Sequence, residues 1–242
     1  MIINLKNRKI ILTGASRGVG KAIALLLAKE NVNLVITGRN IDSLNLVKQQ
    51  IEIAGSKAYP IVVDASDISN TKYLINESLK FLEGIDILIN NAAIGIAKPF
   101  KASTPEEWDH IITVNAKFPF FLIQEALPYL EKSDIPTIIN ISSVSGRMSY
   151  ENQSLYAASK HALMGFTKAL AREVQKNNIR VHTICPGAIA TDMVDVMRPD
   201  LDKENLIKPE EIAEIVLFLL KFKGNSMIDN IDVRRTNGTP FV

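Results

Sequence analysis

Thr13-Gly14-Ala15-Ser16-Arg17-Gly18-Val19-Gly20 decides the fold. It follows a short apolar run, Lys9-Ile10-Ile11-Leu12-Thr13, and opens a stretch of helical period over residues 18–30. A strand that enters a glycine-rich turn and leaves as a helix lets backbone N–H groups approach a pyrophosphate, whose charge the helix N-terminus favours. The competing reading is a flexible turn with no ligand. Glycine accounts for only 12 of the 242 residues, about 5% against a usual figure of about 7%. Three of them nonetheless fall inside this turn, so their placement carries information.

Outward from the turn, short apolar runs recur at residues 32–37, 58–63, 86–90, 137–142, 180–184 and 227–233. Most are apolar at consecutive positions, as expected for parallel strands covered on both faces. Helical periodicity fills the intervals at residues 42–54, 67–82, 104–131, 153–176 and 209–222. Two helix starts are punctuated: Ser103-Thr104-Pro105-Glu106-Glu107 offers a hydroxyl cap, a proline and acids, and Lys208-Pro209-Glu210-Glu211 repeats the last two. The alternation predicts an α/β fold, a doubly wound Rossmann-type parallel sheet of about seven strands with helices on both faces. No linker, low-complexity tract or repeat divides the chain, so residues 1–242 are expected to form one dinucleotide-binding and catalytic domain.

Composition narrows the function classes. With 47% hydrophobic and 22% charged residues the chain is globular, and at this length it needs no disulfide or structural metal to bury a core. The single cysteine, Cys185, has no internal partner for a disulfide, and His110, His161 and His182 form no spaced ligand set for a metal. Lys plus Arg total 28 and Asp plus Glu 26, which gives no pull toward nucleic acid. The longest apolar run near the start, residues 22–28, is bracketed by Lys21 and Lys29 and is too short to span a bilayer. Lys6, Arg8 and Lys9 interrupt any signal-peptide pattern, so a cytoplasmic setting is expected.

Chemistry is concentrated in Tyr156-Ala157-Ala158-Ser159-Lys160, which puts a phenol and an ammonium four residues apart on one helix face. A nearby cation favours the ionised form of a tyrosine whose ordinary pKa is about 10. Such pairs are usually only a helix face, but Ser143 stands at the end of a strand, where open α/β sheets place ligand groups. Ser143 could instead cap local backbone, and Asn115, within the long helical stretch 104–131, could be a solvated or back-bonding asparagine.

The spacing T-G-x-x-x-G-x-G resembles the nucleotide turn of the short-chain dehydrogenase/reductase family. The likeness extends to Val62-Val63-Asp64, where the family has an adenine-contacting acid, and to Asn90-Asn91-Ala92-Ala93, where Ala93 replaces a glycine. A negative φ would make that replacement cheap, and a positive one would strain it. Cys185-Pro186-Gly187-Ala188-Ile189-Ala190-Thr191 resembles the family's P-G-x-x-x-T segment. The resemblance implies that Asn115, Ser143, Tyr156 and Lys160 form a catalytic tetrad. Tyr156 would exchange the proton, Ser143 would orient the carbonyl, Lys160 would bind the nicotinamide ribose and lower the tyrosine pKa, and Asn115 would hold a water. It likewise implies a cofactor site that includes Gly14, Ser16, Arg17, Gly18, Val19 and Gly20 of the glycine turn. Asp64 would contact adenine, Asn91 and Ala92 would also line the cofactor, and Pro186, Gly187, Ile189 and Thr191 would lie beside the nicotinamide, with Tyr156 and Lys160.

The second strand ends Ile36-Thr37-Gly38-Arg39-Asn40, without the acid that NAD sites use to accept from the ribose 2′-hydroxyl. Arg39 and Arg17 can instead meet a 2′-phosphate, which favours NADP(H) over NAD(H). Within the family the chain is similar overall to bacterial 3-oxoacyl-[acyl-carrier-protein] reductases. It departs from them at Asp134 and Asn177, where such reductases often carry arginine, and in a C-terminus without paired glycines. The expectation is therefore an NADPH-dependent carbonyl reductase acting on a small carbonyl or acyl-thioester. The alternatives are an NAD-dependent alcohol or polyol dehydrogenase and a non-catalytic dinucleotide sensor. By the same resemblance, helices 104–131 and 153–176 would build a homodimer or homotetramer, and the segment after Thr191 would lie where relatives have a lid.

Overall fold

A computed structural model describes residues 2–240. Seven strands, β1 (Lys9–Leu12), β2 (Asn33–Gly38), β3 (Lys57–Val62), β4 (Ile87–Asn90), β5 (Thr137–Ile141), β6 (Arg180–Pro186) and β7 (Asn230–Val233), form one sheet. All pairings are parallel and the order is β3-β2-β1-β4-β5-β6-β7. The connections reverse direction between β1 and β4, the switch point at which such sheets open a crevice.

The consecutive apolar runs reflect a sheet buried on both faces. Ile10, Leu12, Leu34, Ile36, Ile87 and Ile89 point to one core. That core is covered by α1 (Gly18–Ala28), α2 (Ile41–Ile53) and α8 (Pro209–Lys221). The intervening Ile11, Val35, Leu88 and Ile138 point the other way, under α3 (Ser69–Leu82), α5 (Phe118–Leu130) and α6 (Ser154–Val174). Pro60, which has no N–H for a ladder, sits in β3 at the sheet edge, where its loss is tolerated.

Three elements differ from the sequence expectation. The helix expected over 104–131 is interrupted: α4 (Pro105–Ile112) passes through a π-helical turn, Thr113–Lys117, into α5. Pro119 supplies a reason, because it has no N–H to offer the Asn115 carbonyl four residues earlier. The last strand is shorter than 227–233. His182 Nδ1 bonds the Ile228 carbonyl at 2.6 Å, so a side chain takes the place of a ladder bond there. Finally, the segment after Thr191 folds as a short helix, α7 (Asp192–Met197), which no period in so short a run announces. Among the described residues no helix is long and apolar enough to cross a membrane.

Candidate active site

Above the carboxyl ends of β1, β2, β4 and β5 lies a cleft of about 690 Å³, a size typical of small-molecule sites. Its floor is the glycine turn. Gly14 and Gly18 adopt left-handed φ values of 66° and 53°, which glycine enters without strain. A side chain at Gly20 would place its Cβ 2.1 Å from the Gly14 carbonyl oxygen, so α1 can approach the turn only without one. Asn91 clamps the same turn from β4: its Nδ2 donates to the Thr13 and Gly14 carbonyls, each at 3.0 Å. The Thr13 hydroxyl in return accepts from the Asn91 and Ala92 N–H groups. Ala93 is outside the left-handed region, so the replacement of glycine there carries no strain.

Gly18, Val19 and Gly20 line the cleft at the start of α1, and no side chain caps that helix end. The uncapped N–H groups and their partial positive charge fit a pyrophosphate. Ser16 and Arg17 line the same stretch. Changing Gly20 to Ala is expected to destabilise the fold by about 1–3 kcal/mol and to weaken dinucleotide binding at least tenfold. Thermal unfolding and a fluorescence titration with NADPH measure the two effects.

Arg39 lines the cleft at the end of β2, and Asp64 lines it after β3. The Asp64 carboxyl is held below its ordinary range, first by the Ser66 N–H and hydroxyl at 2.9 and 2.8 Å, then by the charge of Arg39. Arg17 reaches across the cleft mouth to Asp192 at 2.5 Å, an ion pair exposed on both sides and therefore worth little by itself.

Tyr156 and Lys160 leave the first turns of α6 on one face, both buried, and both line the cleft. Ser143 follows β5; its Oγ accepts from the Ser145 N–H at 3.1 Å and donates to the Pro186 carbonyl at 3.4 Å. Burial pushes the Tyr156 phenol up to about 12, partly offset by its contact with the Ser143 hydroxyl. Burial also brings the Lys160 ammonium down to about 8. Burial, not Lys160, sets the direction of the tyrosine shift. The Lys160 Nζ donates to the Ile141 carbonyl at 3.1 Å and stands 5.8 Å from the phenol ring, and desolvation dominates both groups.

These shifts set a dependence on pH. Between about 8 and the ordinary 10.5, the unfolded chain holds a Lys160 proton that the folded chain has released, so stability rises with pH. Tyr156 acts oppositely between 10.0 and about 12, where the folded chain keeps a proton that the unfolded chain loses. Changing Lys160 to Met is therefore expected to stabilise the protein at pH 7 by about 1–3 kcal/mol while removing activity. The gain should vanish above pH 10.5, as denaturant unfolding at both pH values would read.

Asn115 is held by its side chain. Its Oδ1 accepts from the Ile94 N–H at 2.9 Å, and its Nδ2 donates to the Ile94 carbonyl and to Ser159 Oγ at 2.9 and 3.0 Å. The side chain is thus engaged as a clamp between the β4 exit and α6. Asn115, Ser143, Pro186 and Gly187 are not among the residues that line the cleft, although the Ser143 hydroxyl reaches the phenol of Tyr156, which does. Gly187 donates its N–H to Val233 at 2.7 Å, which anchors the segment to β7. Ile189 and Thr191 do line the cleft; Ile189 is bridged to Ile207 and Thr191 begins α7.

The structure adds Ile94, Gly95, Val114 and Gln153, which the sequence reading passed over, and sets the first three beside Met193 and Val196 of the expected lid segment. Ile94, Gly95, Val114, Met193 and Val196 form an apolar part of the cleft wall. Buried Gln153 donates to the Met197 carbonyl at 3.3 Å and accepts from Ser145 Oγ at 3.3 Å. Its position three residues before Tyr156 was the available signal.

Comparison with known proteins agrees with this geometry. The profile of short chain dehydrogenase matches residues 8–202. A 3-oxoacyl-[acyl-carrier-protein] reductase of Thermotoga maritima is 35% identical over 229 residues, spanning 90% of this chain and 92% of its own. A metagenomic short-chain oxidoreductase solved in complex with NADP superposes with a TM-score of 0.85 at 30% identity, covering 98% of this chain and all of that one. An alcohol dehydrogenase from Thermococcus sibiricus shares the fold at a TM-score of 0.89 and 23% identity, over 97% of this chain and 99% of its own.

Proposed function

Because the chain belongs to the short-chain dehydrogenase family and is an NAD(P)-dependent oxidoreductase, we propose that it reduces a ketone with NADPH, as a 3-oxoacyl-thioester reductase or a close functional relative. One observation carries the proposal. The Tyr156 phenol, raised to about 12, and the Lys160 ammonium, near 8, are both protonated at neutral pH and buried beside Ser143. A buried neutral phenol can give its proton to a carbonyl oxygen that becomes an alkoxide, a stronger base than the phenolate left behind. The glycine cradle, the uncapped α1 and the two cleft arginines fit the dinucleotide, whose nicotinamide supplies the hydride when bound.

Tyr156 donates its phenolic proton to the carbonyl oxygen as negative charge develops there, and Ser143 hydrogen-bonds the same oxygen. Lys160, 5.8 Å from the phenol ring, offers its positive charge to the phenolate left behind through a medium of lower dielectric than water. Asn115, through Ile94 and Ser159, holds α6 against the β4 exit and so positions Tyr156. Arg17 and Arg39 select the 2′-phosphate of NADPH, while Asp64, Asn91, Ala92, Ile189 and Thr191 frame the rest of the cofactor.

The same reading takes the chain as one cofactor-binding and catalytic domain in a cytoplasmic setting. We assign self-association, as a dimer or tetramer, to the outer faces of α5 and α6. There Phe120 is 44% exposed and stands edge-on to Phe166 at 5.3 Å. At the two positions singled out for carrier-protein docking, Asp134 is bound by Arg8 and Asn177 donates to Glu131 at 2.7 Å. A screen of acetoacetyl thioester, free ketones and polyols with NADPH and NADH tests the reading. NADPH-linked reduction of the thioester or of free ketones supports it. Polyol oxidation with NAD in preference to both would replace it.

A further inference from the structure

We propose that Asp232, on the edge strand β7, is a positioning residue for Ser143 and acts on it through Arg147. The inference rests on the ketoreductase reading above, in which the Ser143 hydroxyl holds the carbonyl oxygen. Neither charged residue lines the cleft, so any effect on turnover must pass through other groups.

Ser143 opens the turn by which the chain leaves β5. It caps a single 3-10 turn, Val144–Gly146, and Arg147 follows as the residue that closes it. The Gly146 N–H bonds the Ser143 carbonyl and the Arg147 N–H bonds the Val144 carbonyl, each at 2.9 Å. One side of this turn lies directly on α6. A Cβ at Gly146 would stand 2.8 Å from the Ser142 hydroxyl, 2.9 Å from Met164 Cγ and 3.0 Å from the Lys160 carbonyl. The far end of the turn reaches past β6 to the last strand, where Arg147 pairs with Asp232 at 3.1 Å.

Asp232 is itself fixed. Asn230 Nδ2 donates to its second oxygen at 3.0 Å, and Asn230 Oδ1 accepts from the Cys185 thiol of β6 at 3.1 Å. Burial pushes that thiol up to about 11, so it keeps its proton and remains a donor at neutral pH. The Ser142 hydroxyl approaches the same thiol. A closed circuit results, from Ser142 along the chain to Arg147, across to Asp232, and back through Asn230 and Cys185. Ser143 lies within it. Its own hydroxyl reaches the Pro186 carbonyl at 3.4 Å, a contact too long to fix the oxygen by itself, so the frame around it decides where it stands.

Both side chains of the ion pair are 45% exposed, so the pair contributes at most about 1 kcal/mol to stability. Turnover is more sensitive, because misplacing a group at the reacting atoms by about 1 Å costs up to about 10²-fold in rate. The two roles therefore separate: a positioning pair changes kcat while the unfolding midpoint stays in place.

The test measures kcat and KM for ketone reduction, NADPH affinity and the thermal midpoint in Asp232→Ala, Arg147→Gln, Arg147→Lys, Ser143→Ala and the double variant Ser143→Ala/Asp232→Ala. Asp232→Ala and Arg147→Gln should each lower kcat about five- to tenfold, with NADPH affinity and the midpoint near wild type. Arg147→Lys, which keeps the ion pair, should hold kcat within about twofold of wild type. In the Ser143→Ala background, Asp232→Ala should change kcat by less than about twofold, because no hydroxyl is left to misplace. If one single variant does not fold, the other carries the same cycle with Ser143→Ala. Effects that multiply in the double variant, or wild-type kcat in both single variants, overturn the inference and leave the ketoreductase reading intact. No NADPH-linked reduction of any ketone or thioester by wild type overturns both.

Discussion

Changing Tyr156 to Phe is expected to lower kcat for ketone reduction by about 10²–10⁴-fold while NADPH affinity and the unfolding midpoint stay close to wild type. The substitution removes one oxygen and its proton and leaves the buried ring in the cluster with Ile111, Leu155 and Met197. Among the described residues the side chain that loses a contact is Ser143, whose hydroxyl still has the Ser145 N–H and the Pro186 carbonyl. Packing is preserved and the proton donor is gone, so a loss confined to turnover assigns the phenol to the chemical step. A non-catalytic dinucleotide sensor predicts no change in any of the three measurements.

Changing Arg17 and Arg39 together to Ala should raise the Kd for NADPH by about 10²–10³-fold and leave NADH nearly unaffected. Each charge-assisted contact to a phosphate contributes about 1.5–3 kcal/mol. The sum is reduced because Arg17 must first leave Asp192, an exposed partner at 2.5 Å. The same competition predicts a smaller opposite effect: Asp192→Asn should tighten NADPH about two- to fivefold by freeing Arg17. Isothermal titration with both nucleotides reads all of these values. Equal weakening of NADH and NADPH by the double variant would place the arginines on the shared pyrophosphate instead.

The sheet was legible because both of its faces are buried. Ile10-Ile11-Leu12 and Ile87-Leu88-Ile89 are apolar at every position since alternate residues serve opposite cores. The cofactor turn was legible because close backbone approach leaves a glycine signature, at Gly14 and Gly20 above all. What escaped the reading depends on contacts distant in sequence. The π turn at Thr113–Lys117 lies inside an unbroken apolar period, and only Pro119 hints at it. Asn115 finds its partner at Ile94 on another element, so its clamp role has no local sign. The Lys160 and Tyr156 shifts come from burial, whereas spacing showed only that the two share a helix face. The Arg147 and Asp232 pair joins the turn after β5 to the last strand, and neither position is conspicuous alone.

The central claim is that this cleft transfers hydride from NADPH to a carbonyl carbon with the proton supplied by Tyr156. NADPH carrying deuterium at the transferable position of nicotinamide, incubated with a ketone substrate, tests it most directly. The account predicts one deuterium on the carbinol carbon of the alcohol, formed in step with NADPH consumption and suppressed in Tyr156→Phe. Alcohol without the label, or equal labelling rates for wild type and Tyr156→Phe, would contradict it.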